Sequence, residues 1–260
     1  MTAPLSRPRL NVGADLAPRA ASGVVMIVLA LTAAYVGGIV FLVFWGLAAI
    51  GVAWEWQRLI GGSRLQLRVA ASVLALVAAG AVADRDRRLA AGAGVVYAGA
   101  AMLAPALLRG SPTQGLAAIL WLFAVVWGTD IGAYFGGRLI GGPKLWPSIS
   151  PGKTWSGAGV GAVVSAVLGW AIAALAVPGG VSALPLLGLG LATSALSQGG
   201  DLYESAMKRR AGVKDSSRLI PGHGGLMDRL DGFIVAAAFA AAVAWTRSEG
   251  PWIAPGLFKW

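Results

Sequence analysis

The sequence contains no cysteine, a single histidine and few charged residues. Only 12% of its 260 residues are charged, whereas 57% are hydrophobic. The absence of cysteine excludes disulfides, thiol catalysis and cysteine-ligated zinc. The low charge excludes an ordinary soluble domain, because a soluble domain of this length needs many more charged groups on its surface. The composition is typical of a membrane protein.

Acidic residues are outnumbered by basic ones. The 21 Lys and Arg residues against 11 Asp and Glu residues give a formal net charge of +10. In membrane proteins such an excess lies mainly in cytoplasmic loops, where it meets anionic lipid head groups. A high pI can also indicate nucleic-acid binding, but the sequence has no soluble basic segment with interspersed aromatic residues. We therefore expect the lipid bilayer, and no nucleic acid, as a partner.

Long apolar segments predict an all-α, polytopic membrane protein with about seven to eight transmembrane helices. The Gly37–Gly38 pair interrupts the first segment and predicts a tight helical hairpin. The apolar segments are 23–54, 67–83, 89–108, 115–136, 157–177, 184–198 and 232–246, the last extending to 226–245 if a full span forms. We divide the chain into a disordered cytoplasmic N-terminal tail (1–22), N-terminal membrane helices (23–114) and a C-terminal catalytic membrane region (115–260).

Two polar loops, 137–156 and 199–231, interrupt the C-terminal region. If segment 23–54 crossed the membrane twice, simple alternation would put both loops outside, against the positive-inside rule. A single net crossing would put both loops inside. We favour the single crossing and expect a multi-pass protein of the cell inner (cytoplasmic) membrane whose site faces the cytoplasm.

Asp130 lies at the end of a predicted membrane helix, in "VVWGTDIGAYFGGR". A carboxylate in a membrane helix is costly and usually functional, although a structural ion pair with Arg138 is the alternative. Downstream, Lys153 and Thr154 lie on a Pro–Gly turn before a helix and could bind an anionic head group or phosphate. Anchoring at the membrane interface explains the lysine equally well. "GKT" here is not a P-loop, because Pro147 occupies the required glycine position.

The stretch "SQGGDLYESAMKRRAG" places two acids on one helical face. Asp201, Glu204, Ser205 and Lys208 share that face and could hold a divalent cation beside a phosphate. The alternative is a capping box in which Asp201 begins a helix that Gly212 ends.

The stretch "KDSSRLIPGHGGLMDRLDG" combines the sole histidine with glycines and three acids. Its glycines allow close approach to a ligand, and consecutive N–H groups can bind an anion. Asp228 and Asp231 lie one turn apart near a helix start, where acids are mildly favourable in any case. Glu55, between two tryptophans in "WEWQRL", is more typical of an interfacial anchor. The mixture of acids and bases over 201–231 predicts a magnesium–nucleotide site.

These motifs resemble the signature of the phosphatidate cytidylyltransferase (CDP-diglyceride synthetase) family. The resemblance covers residues of about 121–157 and 194–233 and rests on "WGTDIGAYFGGR", "SPGKTWSG", "GDLYES", Ser205, "KR" at 208–209, "KD" at 214–215, Pro221, "HGG" at 223–225 and "DRLD" at 228–231. It implies transfer of CMP from CTP to phosphatidic acid, giving CDP-diacylglycerol and pyrophosphate in phospholipid biosynthesis. It also implies Mg²⁺, with room for a second cation, and CTP and phosphatidic acid as substrates.

The resemblance implies a set of site residues. The catalytic group is Asp201, Asp228, Asp231, Lys208, Lys214 and Asp215, with Asp201, Asp228 and Asp231 as metal ligands. The substrate-binding group is Lys153, Thr154, Ser205, Arg209, His223, Gly224, Gly225, Arg229 and Asp130. Small-residue packing faces allow a homodimer without demonstrating one.

Two other functional classes compete with this interpretation. Another membrane phosphotransferase, of the CDP-alcohol or polyprenyl-phosphate type, would use similar chemistry, but the "DG" at 231–232 leads into an apolar run. An ion-coupled transporter would place its polar groups near the midplane in two repeated halves. Here they gather at loop–helix junctions in one half of the chain.

Overall fold

The computed structural model describes residues 12–60 and 85–260, and this part of the chain is almost entirely helical. By length and composition, four of its helices could each cross a membrane, which agrees with the predicted all-α polytopic class. The described elements are α1 (Val12–Val36), α2 (Gly38–Leu59), α3 (Arg85–Arg109), α4 (Gly115–Leu139), β1 (Lys144–Trp146), β2 (Ser150–Thr154), α5 (Trp155–Ala176), α6 (Ala183–Arg210), α7 (Met227–Arg247) and α8 (Pro255–Phe258). The four candidate spans are residues 18–36 of α1, all of α2, α4 and α5.

The polar loops gather at one end of the helix bundle, which we call the loop end. It contains the antiparallel β1–β2 hairpin and residues 211–226, the motif loop. The N-terminal half of α1 contacts this end, because the Ser22 hydroxyl donates a hydrogen bond to the Pro221 carbonyl at 3.0 Å. The end of α2 lies here as well, because the Glu55 carboxylate accepts a hydrogen bond from the Met227 N–H at 2.6 Å.

The opposite end, which we call the far end, contains the turn between α1 and α2. There Arg109, at the end of α3, donates a hydrogen bond to the Ala34 carbonyl at 2.7 Å. Helices α1 and α2 therefore form the hairpin predicted from Gly37–Gly38, and both of these glycines have positive φ angles. The expected single net crossing of 23–54 is wrong, because the segment leaves the loop end and returns to it.

The polar loops nevertheless share one end with the start of α1. Helix α3 ends at the far end, so its first residues, like the last residues of α2, lie toward the loop end. The end of α2 and the start of α3 therefore lie at the same end of the bundle. The predicted segment 67–83 lies outside the described residues.

Two helix boundaries differ from the predictions, and a third agrees. Helix α6 continues to Arg210, so Asp201 lies inside a helix and the capping-box interpretation is wrong. Gly212 follows that helix with a φ of 70°, as expected for its C-terminal end. Helix α7 begins at Met227, close to the predicted extension. Helix α1 begins at Val12, so residues 12–21 are helical rather than a disordered tail.

Helices α4 and α5 pack closely through glycines, and this contact positions one wall of the site. A Cβ atom built on Gly161 would lie 2.6 Å from the Thr129 carbonyl oxygen, and one on Gly157 would lie 2.7 Å from the Ala133 carbonyl oxygen. Any larger residue would push the two helices apart. The backbones of α4 and α5 can therefore approach one another only because these positions have no side chain.

Candidate functional site

A cavity of about 440 Å³ opens at the loop end between α4, α5, α6 and the β1–β2 hairpin. Four of the predicted site residues line it, namely Asp130, Lys153, Thr154 and Asp201. Thr154 is held in place because its hydroxyl caps α5 by accepting a hydrogen bond from the Gly157 N–H at 3.1 Å. The tertiary structure thus brings together residues that are separated by up to about seventy positions in the sequence.

Lys153 and Asp201 form an ion pair across the cavity wall. The Ser205 hydroxyl adds a hydrogen bond to the other Asp201 oxygen at 3.3 Å. The side chains of the ion pair are 27% and 31% exposed, so a ligand in the cavity can reach both charges. An accessible ammonium and carboxylate can exchange this mutual contact for a phosphate and a cation.

Asp130 is exposed at the cavity wall. Among the described ion pairs it has no partner, and Arg138 instead donates a long hydrogen bond of 3.5 Å to the Tyr134 hydroxyl. The alternative of a structural Asp130–Arg138 ion pair is therefore wrong. The Asp130 carboxylate is therefore available to contact a ligand bound in the cavity.

Lys208 is buried between two carboxylates, about two turns along α6 from Asp201. Its ammonium lies 3.1 Å from a Glu204 oxygen and 2.6 Å from an Asp228 oxygen. The resemblance assigned Lys208 to the catalytic group. In this structure its charge compensates two buried acids, and it joins α6 to α7.

Asp228 anchors the motif loop. Its carboxylate accepts hydrogen bonds from the Ser216 N–H at 2.9 Å, the Ser216 hydroxyl at 3.0 Å and the Gly225 N–H at 2.7 Å, in addition to Lys208. A carboxylate offers about four acceptor sites, and these contacts use them. A role as metal ligand would require Lys208 or Ser216 to move away.

Glu55 anchors the same loop from α2, and its interpretation as an interfacial anchor is wrong. The side chain is fully buried. Its carboxylate accepts hydrogen bonds from the Ser217 hydroxyl at 2.6 Å, the Ser216 hydroxyl at 3.0 Å, the Leu226 N–H at 2.8 Å and the Met227 N–H at 2.6 Å. The last two N–H groups lie at the start of α7 and have no acceptor within that helix, so the carboxylate supplies the acceptor that they lack.

His223 faces helix α1 rather than the cavity. Its Nδ1 lies 2.8 Å from the Ser22 hydroxyl, and its backbone N–H donates to the Ile220 carbonyl at 3.0 Å. Gly224 adopts a φ of 84° in the same turn. A role of His223 in shaping the loop agrees with these contacts better than direct binding of a phosphate.

Several predicted residues lie on the surface of the loop end. Gly225 is buried because the Glu55 and Ser216 side chains pack against its backbone. Four of the predicted charged residues are exposed, namely Arg209, Lys214, Asp215 and Arg229. They leave an accessible basic surface beside the cavity, and none of them belongs to the described ion pairs.

The acids of the loop end fit a divalent cation only in part. Within the described residues, no three His, Asp or Glu side chains are grouped closely enough to form a protein cage. However, Glu204 and Asp231 face one another, and the buried Oε1 atom of Glu204 has no hydrogen-bond donor. Mg²⁺ commonly uses one or two carboxylates together with substrate phosphates. Asp201 is partly exposed at the cavity, whereas the acceptor sites of Asp228 are already occupied within the protein. Asp231 and Asp201 therefore suit this ion better than Asp228.

The sequence did not reveal which residues hold the motif loop. Ser216, Ser217 and Ser22 form part of this support, and each is an ordinary polar residue by composition. The available signal was an acid between two tryptophans, because a carboxylate in such apolar surroundings needs several donors. The sequence did not indicate which donors these are, because Ser216 and Ser217 lie more than 160 residues after Glu55.

The comparisons with known proteins agree with the motifs. Residues 67–246 match the model of the cytidylyltransferase family. A phosphatidate cytidylyltransferase of Brucella suis is 55% identical over 147 residues, which is 56% of this chain and 53% of the relative. Those of Haemophilus influenzae and Bacillus subtilis are 44% and 43% identical, over 49% and 51% of this chain and 46% and 49% of the relatives. The aligned regions span about half the length of these relatives. Because the family model covers more than half of its residues, the chain belongs to the cytidylyltransferase family.

Proposed function

We propose that this protein is a phosphatidate cytidylyltransferase that transfers CMP from CTP to phosphatidic acid. The observation that supports this most directly is the cavity at the loop end. It combines Lys153 and Thr154 with Asp130 and Asp201, beside an exposed basic surface. Such a site can bind two phosphate-bearing substrates together. The names of the relatives agree with this chemistry.

In the proposed reaction, a phosphate oxygen of phosphatidic acid attacks the α-phosphorus of CTP. A new P–O bond forms, the bond between the α-phosphorus and the bridging oxygen breaks, and pyrophosphate leaves. The lipid phosphate is already a nucleophile, so the protein contributes mainly positioning and charge neutralisation. Lys153 and Thr154 would hold the lipid phosphate, whereas Arg209, Lys214 and Arg229 would neutralise the triphosphate.

We also propose that Mg²⁺ is the cofactor. Asp201 and Asp231 would hold it, with Glu204 nearby. When bound, Mg²⁺ would neutralise phosphate charge and orient the phosphates. The chain's own contribution is to keep Asp201 accessible at the cavity and to hold Asp231 in the first turns of α7. A second cation and a homodimer remain predictions.

The orientation that this function requires agrees with the distribution of basic residues. CTP is a cytosolic nucleotide, so the loop end should face the cytoplasm. Of the basic residues whose side chains the structure describes, eleven lie toward the loop end and three toward the far end. The first group is Arg19, Arg58, Arg138, Lys144, Lys153, Lys208, Arg209, Arg210, Lys214, Arg218 and Arg229, and the second is Arg109, Arg247 and Lys259. We infer an inner-membrane protein whose loop end is cytoplasmic.

The first experiment is a turnover assay on the purified protein in detergent–phosphatidate micelles with CTP labelled at the α-phosphate. We expect labelled CDP-diacylglycerol and an equal amount of pyrophosphate in the presence of Mg²⁺, and neither product after chelation. Binding of CTP without release of pyrophosphate would contradict the proposed reaction, and alcohol acceptors would then be tested. Absence of CTP binding would favour a transporter.

A further inference from the structure

We propose that Glu55 is a positioning residue that sets the geometry of the motif loop and of the first turn of α7. This inference rests on the proposed function, because it assigns Glu55 a task in CTP binding. Glu55 lies on α2, in the N-terminal hairpin, and precedes the residues 67–246 that match the family model. A residue outside the matched segment would thus organise a site inside it.

The first argument is the number of donors that converge on this carboxylate. Ser216 and Ser217 from the motif loop and the Leu226 and Met227 N–H groups at the start of α7 all donate to it, over distances of 2.6 to 3.0 Å. Glu55 belongs to none of the ion pairs in the described part of the chain. Its burial therefore depends on these four donors remaining in place.

The second argument is that Glu55 and Asp228 share a donor. The Ser216 hydroxyl lies 3.0 Å from an oxygen of each carboxylate. Gly225 packs between them, and a Cβ built on it would lie 2.7 Å from a Glu55 oxygen. Asp228 is in turn bound to Lys208. A displacement of Glu55 therefore changes the position of the loop and of the buried charges beneath the site.

The third argument is that the hairpin holds the loop at two places. The Ser22 hydroxyl, in the N-terminal half of α1, contacts the Pro221 carbonyl and the His223 ring. Glu55, near the end of α2, holds the two sides of the loop at Ser216 and Leu226. The loop carries Lys214 and leads directly into Arg229, which are two of the proposed triphosphate contacts. The hairpin thus positions the CTP side of the site, whereas the cavity lies on α4, α5 and α6.

A spin label tests the positioning directly, since the chain has no cysteine of its own. Leu219, which is exposed on the motif loop, is replaced by Cys and carries a nitroxide. We expect Glu55→Gln to increase the mobility of this label, because the amide nitrogen of Gln cannot accept a hydrogen bond from a backbone N–H. A label at Ser148→Cys, in the β1–β2 turn, should be unchanged.

Kinetics test the consequence for CTP. We expect Glu55→Gln to raise the KM for CTP about tenfold, which corresponds to about 1.4 kcal/mol, and to leave the KM for phosphatidate nearly unchanged. Glu55→Asp should recover part of the CTP affinity. Glu249→Gln removes an exposed carboxylate beyond the end of α7 and should have no effect.

Unchanged label mobility in Glu55→Gln would overturn the proposal, whether turnover is kept or lost. An equal rise of both KM values would also overturn it. If Glu55→Gln does not fold, Ser217→Ala removes one of the four donors and should raise the mobility of the Leu219→Cys label to a smaller extent; no rise would overturn the proposal. Failure of the unmodified protein to turn over CTP would instead contradict the proposed function. The mobility of the spin label would then still test whether Glu55 positions the motif loop.

Discussion

At the scale of single residues, the neighbours of each carboxylate determine its task. Asp228 is surrounded by donors and holds the motif loop, so its acceptor sites are used within the protein. Asp201 is partly exposed and pairs with Lys153, so a ligand can compete for it. Asp130 is exposed at the cavity without an ion-pair partner in the described structure. A carboxylate therefore anchors the motif loop at Asp228, forms an exchangeable ion pair at Asp201 and lines the cavity without an ion-pair partner at Asp130.

The exchangeable pair leads to a prediction for Lys153→Ala. We expect the KM for phosphatidate to rise roughly tenfold, because one charge-assisted hydrogen bond is lost. The KM for CTP should change much less. Lys144→Ala is the matched control, because Lys144 is exposed on the same β-hairpin and does not line the cavity. An equal loss for both substrates would contradict the assignment of Lys153 to the lipid phosphate.

At the scale of secondary-structure elements, glycines determine how closely α4 and α5 pack. The contact includes Gly157 and Gly161 of α5, whose missing side chains make room for backbone carbonyls of α4. Gly132 and Gly136 of α4 are in similarly close contact with α5. Because the cavity lies at the loop end of this helix pair, its width depends on the same contact.

We predict that Gly161→Ala lowers the stability of the protein by about 1–3 kcal/mol, the usual cost of overpacking. The added methyl group would meet the Thr129 carbonyl oxygen. Thermal unfolding in detergent measures the effect. Gly159→Ala is the matched control, since a Cβ there meets nothing within 4 Å and α5 would keep its packing. Equal unfolding temperatures for the two variants would contradict a close α4–α5 contact.

At the scale of the whole molecule, the charge distribution and the path of the chain agree with each other. The N-terminal hairpin begins and ends at the loop end, and the last long helix, α7, begins there and ends at the far end. Basic residues lie mainly toward the loop end. Both features place the two polar loops on one side of the membrane together with the start of α1.

This arrangement predicts which residues a membrane-impermeant thiol reagent reaches. Ser148→Cys lies at the loop end, and Ser182→Cys lies before α6 at the far end. In intact cells made permeable only at the outer membrane, we expect the reagent to label Ser182→Cys alone. In inverted inner-membrane vesicles, it should label Ser148→Cys alone. Labelling of both variants from the same side would contradict the topology.

The sequence alone determined the class of the protein and most of its helices. Low charge and long apolar segments require a helical membrane bundle, since backbone polar groups in lipid must be satisfied within helices. The glycine pair located the hairpin, and the resemblance located the motifs that Asp130, Lys153 and Asp201 bring to one cavity. These conclusions depend on local composition and short patterns, which a sequence displays directly.

Only the tertiary structure determined the direction of the hairpin and the separate roles of the site's acids. The direction of the hairpin depends on contacts such as Glu55 with Met227, which join positions 172 residues apart. The buried position of Lys208 and the saturation of Asp228 likewise depend on donors from several elements. Burial, ion pairing and hydrogen-bond saturation are properties of three-dimensional neighbours. For that reason, the site's acids could be found in the sequence, but their separate tasks could not.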